Sequence, residues 1–122
     1  MKNLLARSAY ALIFVFAAGS AALGQSIEGA YAFQGMSPDK TTYAGRVEVT
    51  KSGAGFQMRW LYSDGSIIFG AGLMEGETLS VGTVEDKKSI VSLMERQGDG
   101  GFKGVWYQRG EAALGDESWI KQ

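Results

Sequence analysis

From Ser26 onwards the chain alternates apolar and polar residues in short runs, each of which ends at a tight turn. The third run illustrates the pattern, with a large apolar side chain at every second position: Phe56, Met58, Trp60 and Tyr62. Side chains of a β-strand point alternately to its two faces, whereas a helix would scatter these residues around its circumference. The pattern therefore predicts eight strands, most of them with one apolar and one polar face.

Segments rich in Gly, Asp and Ser separate the runs and predict turns at residues 36–39, 52–55, 63–65, 75–76, 86–88, 98–101 and 108–110. Asp64-Gly65 is the strongest hairpin signal among them, because both residues tolerate the positive φ of a type I′ turn. Every connection is short and no helical stretch intervenes, so consecutive strands are expected to be antiparallel neighbours.

A sheet with one apolar face and no helix to cover it must fold over on itself or close. We therefore predict an all-β fold, an eight-stranded antiparallel up-and-down meander that closes as a small barrel by pairing residues 26–34 with 115–121. A β-sandwich is the alternative. Glycines inside the strands, such as Gly45 and Gly70, should leave room for aromatic rings in the interior.

The N-terminal residues have a different pattern. A positively charged start precedes an uncharged apolar stretch at 9–18, and Ala22 and Gly24 occupy the −3 and −1 positions of a cleavage site. These features in this order predict a secretory signal peptide over residues 1–24. A membrane anchor is the alternative, but it needs about 20 apolar residues in succession. We expect a β-barrel domain at 25–122 that does not span the membrane after cleavage and is periplasmic or secreted.

Composition limits the chemistry that this domain is expected to perform. The chain has a net charge of −1 and contains neither Cys nor His. A mildly acidic domain without a basic stripe is a poor candidate for nucleic-acid binding. Without His and Cys, the commonest metal ligands, the usual general base and the thiolate nucleophile are missing. The sequence therefore predicts a protein that is not an enzyme and that holds no metal or other cofactor.

One carboxylate stands out as a candidate for the interior. Glu117 shares its parity with Trp119, which the alternation turns inward, and an inward carboxylate must be paired or hydrogen-bonded. Tyr31, Tyr43 and Trp60 also have inward parity and carry polar tips that could serve as donors. If there is a ligand-binding site, we predict that Tyr31, Tyr43, Trp60 and Glu117 form it. The pattern itself favours a structural Glu117 and aromatic rings that fill the core, so we expect Trp60 and Trp106 to be mainly buried.

Four segments in order resemble a known group of proteins: Gly29–Tyr31, Tyr43–Val49, Gly70–Gly72 leading to Leu79–Gly82, and Gly104–Trp106 followed by Gly115–Trp119. They are similar to a family of small exported β-barrel proteins of Gram-negative bacteria without assigned function, some labelled as fibronectin-binding. The resemblance implies export and a barrel but assigns no functional residue, and no residue pattern here supports fibronectin binding. The aromatic strands are also similar, more loosely, to calycin barrels such as the lipocalins and avidin-like proteins, which hold small ligands inside.

These observations favour an exported non-enzymatic barrel that binds a small molecule or a protein partner. The alternative is a structural or envelope-associated protein with a filled core and no ligand, acting through an outer surface around Leu61, Ile68 and Leu73. A small outer-membrane barrel is disfavoured, because charged residues such as Arg46 and Arg59 would face lipid. The sequence alone leaves the ligand and the oligomeric state open.

Overall fold

Eight strands follow one another along residues 26–122, the part of the chain that the computed structural model describes. Their bounds are β1 (Gly29–Met36), β2 (Thr42–Ser52), β3 (Gly55–Tyr62), β4 (Ile67–Glu75), β5 (Thr78–Glu85), β6 (Lys88–Arg96), β7 (Phe102–Gln108) and β8 (Gly115–Lys121). Each strand pairs with the next in antiparallel fashion, and β8 returns to pair with β1, so the sheet is a closed barrel. The predicted signal peptide, residues 1–24, lies outside the described residues.

Closure confirms the predicted fold and rules out the sandwich. The seam between the first and last strands runs from Tyr31 opposite Lys121 to Met36 opposite Asp116, so on β1 it uses residues 31–36 and not the predicted 26–34. Pairing all the way round protects the strand edges, which is the usual benefit of closing an antiparallel meander. Residues 26–122 include no helix long and apolar enough to cross a membrane.

The turn chemistry differs from the prediction at Asp64-Gly65. Of these two residues Gly65 alone has a positive φ, and the loop closes through Tyr62, whose backbone N–H donates to the carbonyl of Ser66 at 2.9 Å. Asp64 contributes through its carboxylate, which accepts the Ser66 N–H at 2.9 Å, so it does not need the left-handed backbone of a type I′ turn. A two-residue turn with positive φ at both positions is found at Asp86-Lys87, with values of 51° and 65°.

The meander gives the barrel two different ends. The connections β1–β2, β3–β4, β5–β6 and β7–β8 share one end, here called the open end. The other three connections and the N-terminal residues 26–28 share the opposite end, here called the closed end. This division decides where side chains fill the interior and where they leave space.

Large side chains fill the closed end and the middle of the barrel. The buried set includes Tyr31, Val47, Met58, Leu79, Met94, Phe102 and Trp119. Ile27 precedes β1, is only 2 % exposed and belongs to the same core, and the Tyr31 hydroxyl donates to its carbonyl at 2.6 Å. Lys121 lies over the Tyr31 ring, with Nζ 4.9 Å from the centroid. The closed end is therefore packed and tied to the terminal segments.

The outside of the barrel is polar on one side and apolar on the other. On β2 and β3, Glu48 pairs with Arg46 at 3.4 Å and with Arg59 at 3.0 Å, so both arginines point away from the interior as their parity predicted. On β4 to β7 the exposed outward side chains include Phe69, Leu73, Val84, Val91 and Leu93. The sequence predicted an outer surface around Leu61, Ile68 and Leu73. This prediction is wrong for Ile68, which faces inward and packs against the core.

Candidate functional site

A cavity of about 230 Å³ opens at the open end of the barrel, above the packed core. Its lining is Ser37, Tyr43, Trp60, Tyr62, Ile68, Thr83, Glu85, Ile90, Ser92, Trp106, Gln108 and Glu117. An eight-stranded barrel has an interior just wide enough for side chains or for one small ligand. This barrel accommodates both, with side chains at one end and space at the other. The interior is therefore not filled throughout, in contrast to the structural alternative.

The Glu117 carboxylate forms the polar centre of the cavity floor. Oε1 accepts a hydrogen bond from the Tyr43 hydroxyl at 2.8 Å. Oε2 accepts two, from Trp60 Nε1 at 3.1 Å and from Trp119 Nε1 at 2.7 Å. An ionised carboxylate offers about four acceptor positions, so three donors leave about one free. Glu117 is thus held in place by three aromatic residues.

The strand register brings these groups together around a glycine. Gly35 on β1 lies opposite Tyr43 on β2 and opposite Glu117 on β8, so both side chains turn inward beside it. A Cβ at Gly35 would overlap the Tyr43 hydroxyl and the carbonyl of Asp116. The lack of a side chain at Gly35 is thus a condition for the hydrogen bond between Tyr43 and Glu117.

A second glycine makes room for the indole at the wall of the cavity. Gly115 on β8 lies opposite Trp106 on β7, and a Cβ at Gly115 would overlap the Trp106 ring. The ring lies close enough to this glycine for Nε1 to donate to the carbonyl of Asp116 at 3.2 Å. Trp106 also packs edge-on against Tyr43, with centroids 6.3 Å apart. Each of these two aromatic side chains is therefore positioned by a glycine on a neighbouring strand.

Burial controls the protonation of these groups. It raises the pKa of Glu117 above its usual value of 4.5, although the hydrogen bonds from Trp119, Tyr43 and Trp60 act in the opposite direction. Burial and the nearby Glu117 carboxylate raise the pKa of the Tyr43 and Tyr62 hydroxyls. Both tyrosines consequently remain neutral donors at any physiological pH, and Glu117 is the titrating group on the cavity floor.

A second carboxylate lies at the mouth of the cavity. Glu85 is the last residue of β5 and is more exposed than Glu117. Partial burial raises its pKa, and the neighbouring Asp86 and Asp64 act in the same direction. The cavity thus has an acidic group at its floor and another at its entrance.

The structure brings together three of the four predicted site residues. Tyr43, Trp60 and Glu117 line the cavity and are joined by hydrogen bonds. Tyr31 does not belong to this group, because it lies nearer the closed end and is completely buried against Phe102 and Trp119. Parity could place Tyr31 inside but could not say at which end its hydroxyl lies. Its hydroxyl ties the core to the terminal segments and does not line the cavity.

Several site residues were missed or misjudged by sequence reasoning. Tyr62, Glu85 and Trp119 were not among the candidates, although all three have inward parity and Trp119 makes the shortest hydrogen bond to Glu117. Trp60 is 6 % exposed, as expected of a core ring. Trp106 was expected to be mainly buried but is only partly so, because it lines the cavity. The signal that could have identified these residues is the strand register, because it shows at which end of the barrel each inward-facing side chain lies.

A larger but shallow groove lies on the outside, across β3 to β6. Its floor is the small outward residues Ala71, Ser80 and Gly82, and Leu73 and Leu93 border it. The groove is wide open to solvent and its lining is mostly apolar, whereas the interior cavity has converging polar groups. Among residues 26–122 no cluster of three or more acidic side chains has the arrangement of a metal site.

Comparisons with known proteins bear on the fold. No protein-family model and no curated protein matches this sequence. Among the solved structures, a de novo designed fluorescence-activating β-barrel is similar, with a TM-score of 0.57 and 17 % identity. The alignment covers 78 % of this chain and 93 % of the designed chain. At that identity the similarity shows the barrel fold alone.

Proposed function

We propose that this protein is a non-enzymatic barrel that binds a small molecule in the cavity at its open end. The observation that carries the proposal is the Glu117 carboxylate, held by Tyr43, Trp60 and Trp119 on the floor of a cavity that the core does not fill. A concave site with apolar walls and a few converging polar groups is the usual form of a ligand pocket, and barrel mouths are a common place for one. The designed barrel with a similar fold is described as fluorescence-activating.

The size of the cavity limits the ligand. Sites for drug-sized molecules measure about 300–1,000 Å³, whereas this cavity is about 230 Å³. A molecule built on a single ring suits that volume. The aromatic walls formed by Tyr62 and Trp106 favour a flat ligand, because ring pairs gain from offset or edge contacts.

The arrangement of Glu117 supports binding over catalysis. An isolated carboxylate rarely catalyses a reaction without a partner group, and the three internal donors around Glu117 hold it in place and leave about one acceptor position for a ligand. The chain has no His or Cys to act as a nucleophile or as a second proton carrier. We therefore propose that Glu117 acts as a fixed hydrogen-bond acceptor for the ligand.

Binding of benzyl alcohol, a neutral molecule with one ring, tests the proposal. Saturation-transfer NMR should detect binding to the wild type and a loss of binding in Ser92→Phe, which places a ring in the cavity from β6. Ser89→Phe is the matched control, because Ser89 is on the same strand with its side chain outside. Equal binding by Ser92→Phe and wild type would overturn the proposal, and so would a folded wild type that binds no single-ring probe, neutral or charged.

Export is the second part of the proposal. The charged start, the apolar stretch and the small residues before Gln25 support removal of residues 1–24 by a signal peptidase. The intact mass of the protein recovered from the periplasm or culture medium should correspond to a chain that starts at Gln25. Recovery of the full-length chain on membranes would instead identify residues 1–24 as an anchor.

A further inference from the structure

The charged side chains that line the cavity are all negative. Glu117 lies at the floor and Glu85 at the mouth, and among the described residues no Lys or Arg lines the space between them. A cleft with low-dielectric walls and one sign of charge concentrates ligands of the opposite sign. An anionic ligand would have to enter past Glu85 and lie against Glu117 without a cation to offset either charge.

The cations of the open end lie outside the cavity. Lys40, Lys87 and Lys88 are exposed on or next to the turns. Arg109 is directed along the rim, where its guanidinium donates to the carbonyl of Lys87 at 3.4 Å. The rim therefore carries both signs of charge, but only the negative groups of the described chain continue into the cavity.

Aromatic rings form much of the remaining wall. Tyr43 and Tyr62 pack with centroids 5.9 Å apart, and Trp106 also contacts Tyr43. The faces of such rings attract an organic cation, most strongly when water is excluded, and recognition of ammonium ligands by aromatic residues is well established. A carboxylate next to aromatic rings is the complement of an ammonium group attached to an apolar body.

We infer that the cavity is selective for a small organic cation, an ammonium carried by a single ring or a short alkyl body. The ammonium group of this ligand lies between the aromatic walls and the one acceptor position of Glu117 that the internal donors leave free. Glu85 lies at the entrance. This inference rests on the proposed function, since it names the ligand class of the same cavity. A bare metal ion is a poorer fit, because Glu117 is already occupied by three donors.

Three probes of similar size and different charge test the inference: benzylammonium, benzyl alcohol and benzoate. Calorimetric or NMR titration of the wild type should give the tightest binding for benzylammonium, with an affinity about tenfold or more above that for benzyl alcohol, and the weakest for benzoate. The advantage of benzylammonium should shrink as salt is added, because part of it arises at the solvent-exposed Glu85.

The variant Glu85→Gln tests the preference for a cationic ligand separately from the ability of the cavity to bind a ligand at all. It should reduce the affinity for benzylammonium severalfold and that for benzyl alcohol by a much smaller factor, and it retains Glu117 with its three hydrogen bonds. Glu75→Gln is the control, an exposed glutamate at the closed end, and should change neither affinity. If benzyl alcohol binds as tightly as benzylammonium, the inference is wrong while the proposed function stands. If none of the three binds to the folded protein, the proposed function itself is wrong.

Discussion

At the scale of single residues, Glu117 is the most informative group because its burial has a consequence for stability. Burial raises its pKa above 4.5, so the folded state holds this proton more tightly than the unfolded state does. The stabilisation is complete below pH 4.5 and is lost as the pH rises through the pKa of the folded state. Glu85 contributes in the same direction, since its pKa is also raised.

Glu117→Gln isolates the contribution of the floor carboxylate. The variant cannot titrate at this position, so its free energy of unfolding should improve relative to wild type as the pH rises above 4.5. Urea unfolding at a series of pH values measures the difference, in which the effect of Glu85 cancels because both proteins contain it. Two profiles that run parallel across this interval would contradict the assigned burial of Glu117.

The two tryptophans near the cavity should differ in their effect on stability. Trp60 is buried against the core, so Trp60→Ala should lower the free energy of unfolding by about 3–5 kcal/mol. Trp106 is only partly buried, so Trp106→Ala should cost less stability while weakening ligand binding. Denaturant unfolding of both variants provides the comparison. A larger loss for Trp106→Ala than for Trp60→Ala would mean that the indole is core and not cavity wall.

At the scale of strands and turns, the glycines opposite aromatic rings are the critical positions. Gly115→Ala should displace the Trp106 ring and destabilise the barrel, because the new methyl group overlaps that ring. Gly82 on β5 is the matched control, since its missing Cβ would meet nothing within 4 Å. Thermal unfolding and the indole N–H shift of Trp106 report the two effects. An unperturbed Trp106 resonance in Gly115→Ala would show that the two strands are not in this register.

The hairpin turn between β5 and β6 holds Lys87 in a backbone conformation that this residue does not favour. Lys87 has a φ of 65°, which costs an L-residue about 1–2 kcal/mol relative to the right-handed region. Lys87→Gly should therefore stabilise the protein, after the entropic cost of glycine, by about 0.5 kcal/mol. Lys88→Gly, in the following strand, should destabilise it. Denaturant unfolding that gives both variants the same sign would contradict the turn geometry.

The strands were predictable from the sequence to a greater extent than the turns and the site. Alternation at every second residue places Tyr43, Trp60 and Glu117 inside, and short connections determine their neighbours. The pattern has no information on which end of the barrel a side chain occupies, so Tyr31 was grouped with them. Asp86 tolerates positive φ but Lys87 does not favour it, so the conformation of Lys87 follows from the strand register and could not be predicted from the residue type.

At the scale of the whole molecule, the barrel combines a packed closed end with an open end that contains the site. The core keeps the walls rigid without a disulfide, since the chain has no Cys. Rigid walls hold Glu117 and its three donors in place before a ligand arrives, which reduces the ordering cost of binding. Little change in backbone structure is therefore expected on binding.

The central claim is that the ligand enters the open end, and the indole N–H resonances test it most directly. The chain has three tryptophans, and all three donate hydrogen bonds at or next to Glu117. Titration with benzylammonium should shift the resonances of Trp106 and Trp60 in a saturable manner and move the amides of Leu73 and Leu93 on the outer groove very little. Saturable shifts at Leu73 and Leu93 with unchanged indole resonances would place binding on the outside and contradict the account.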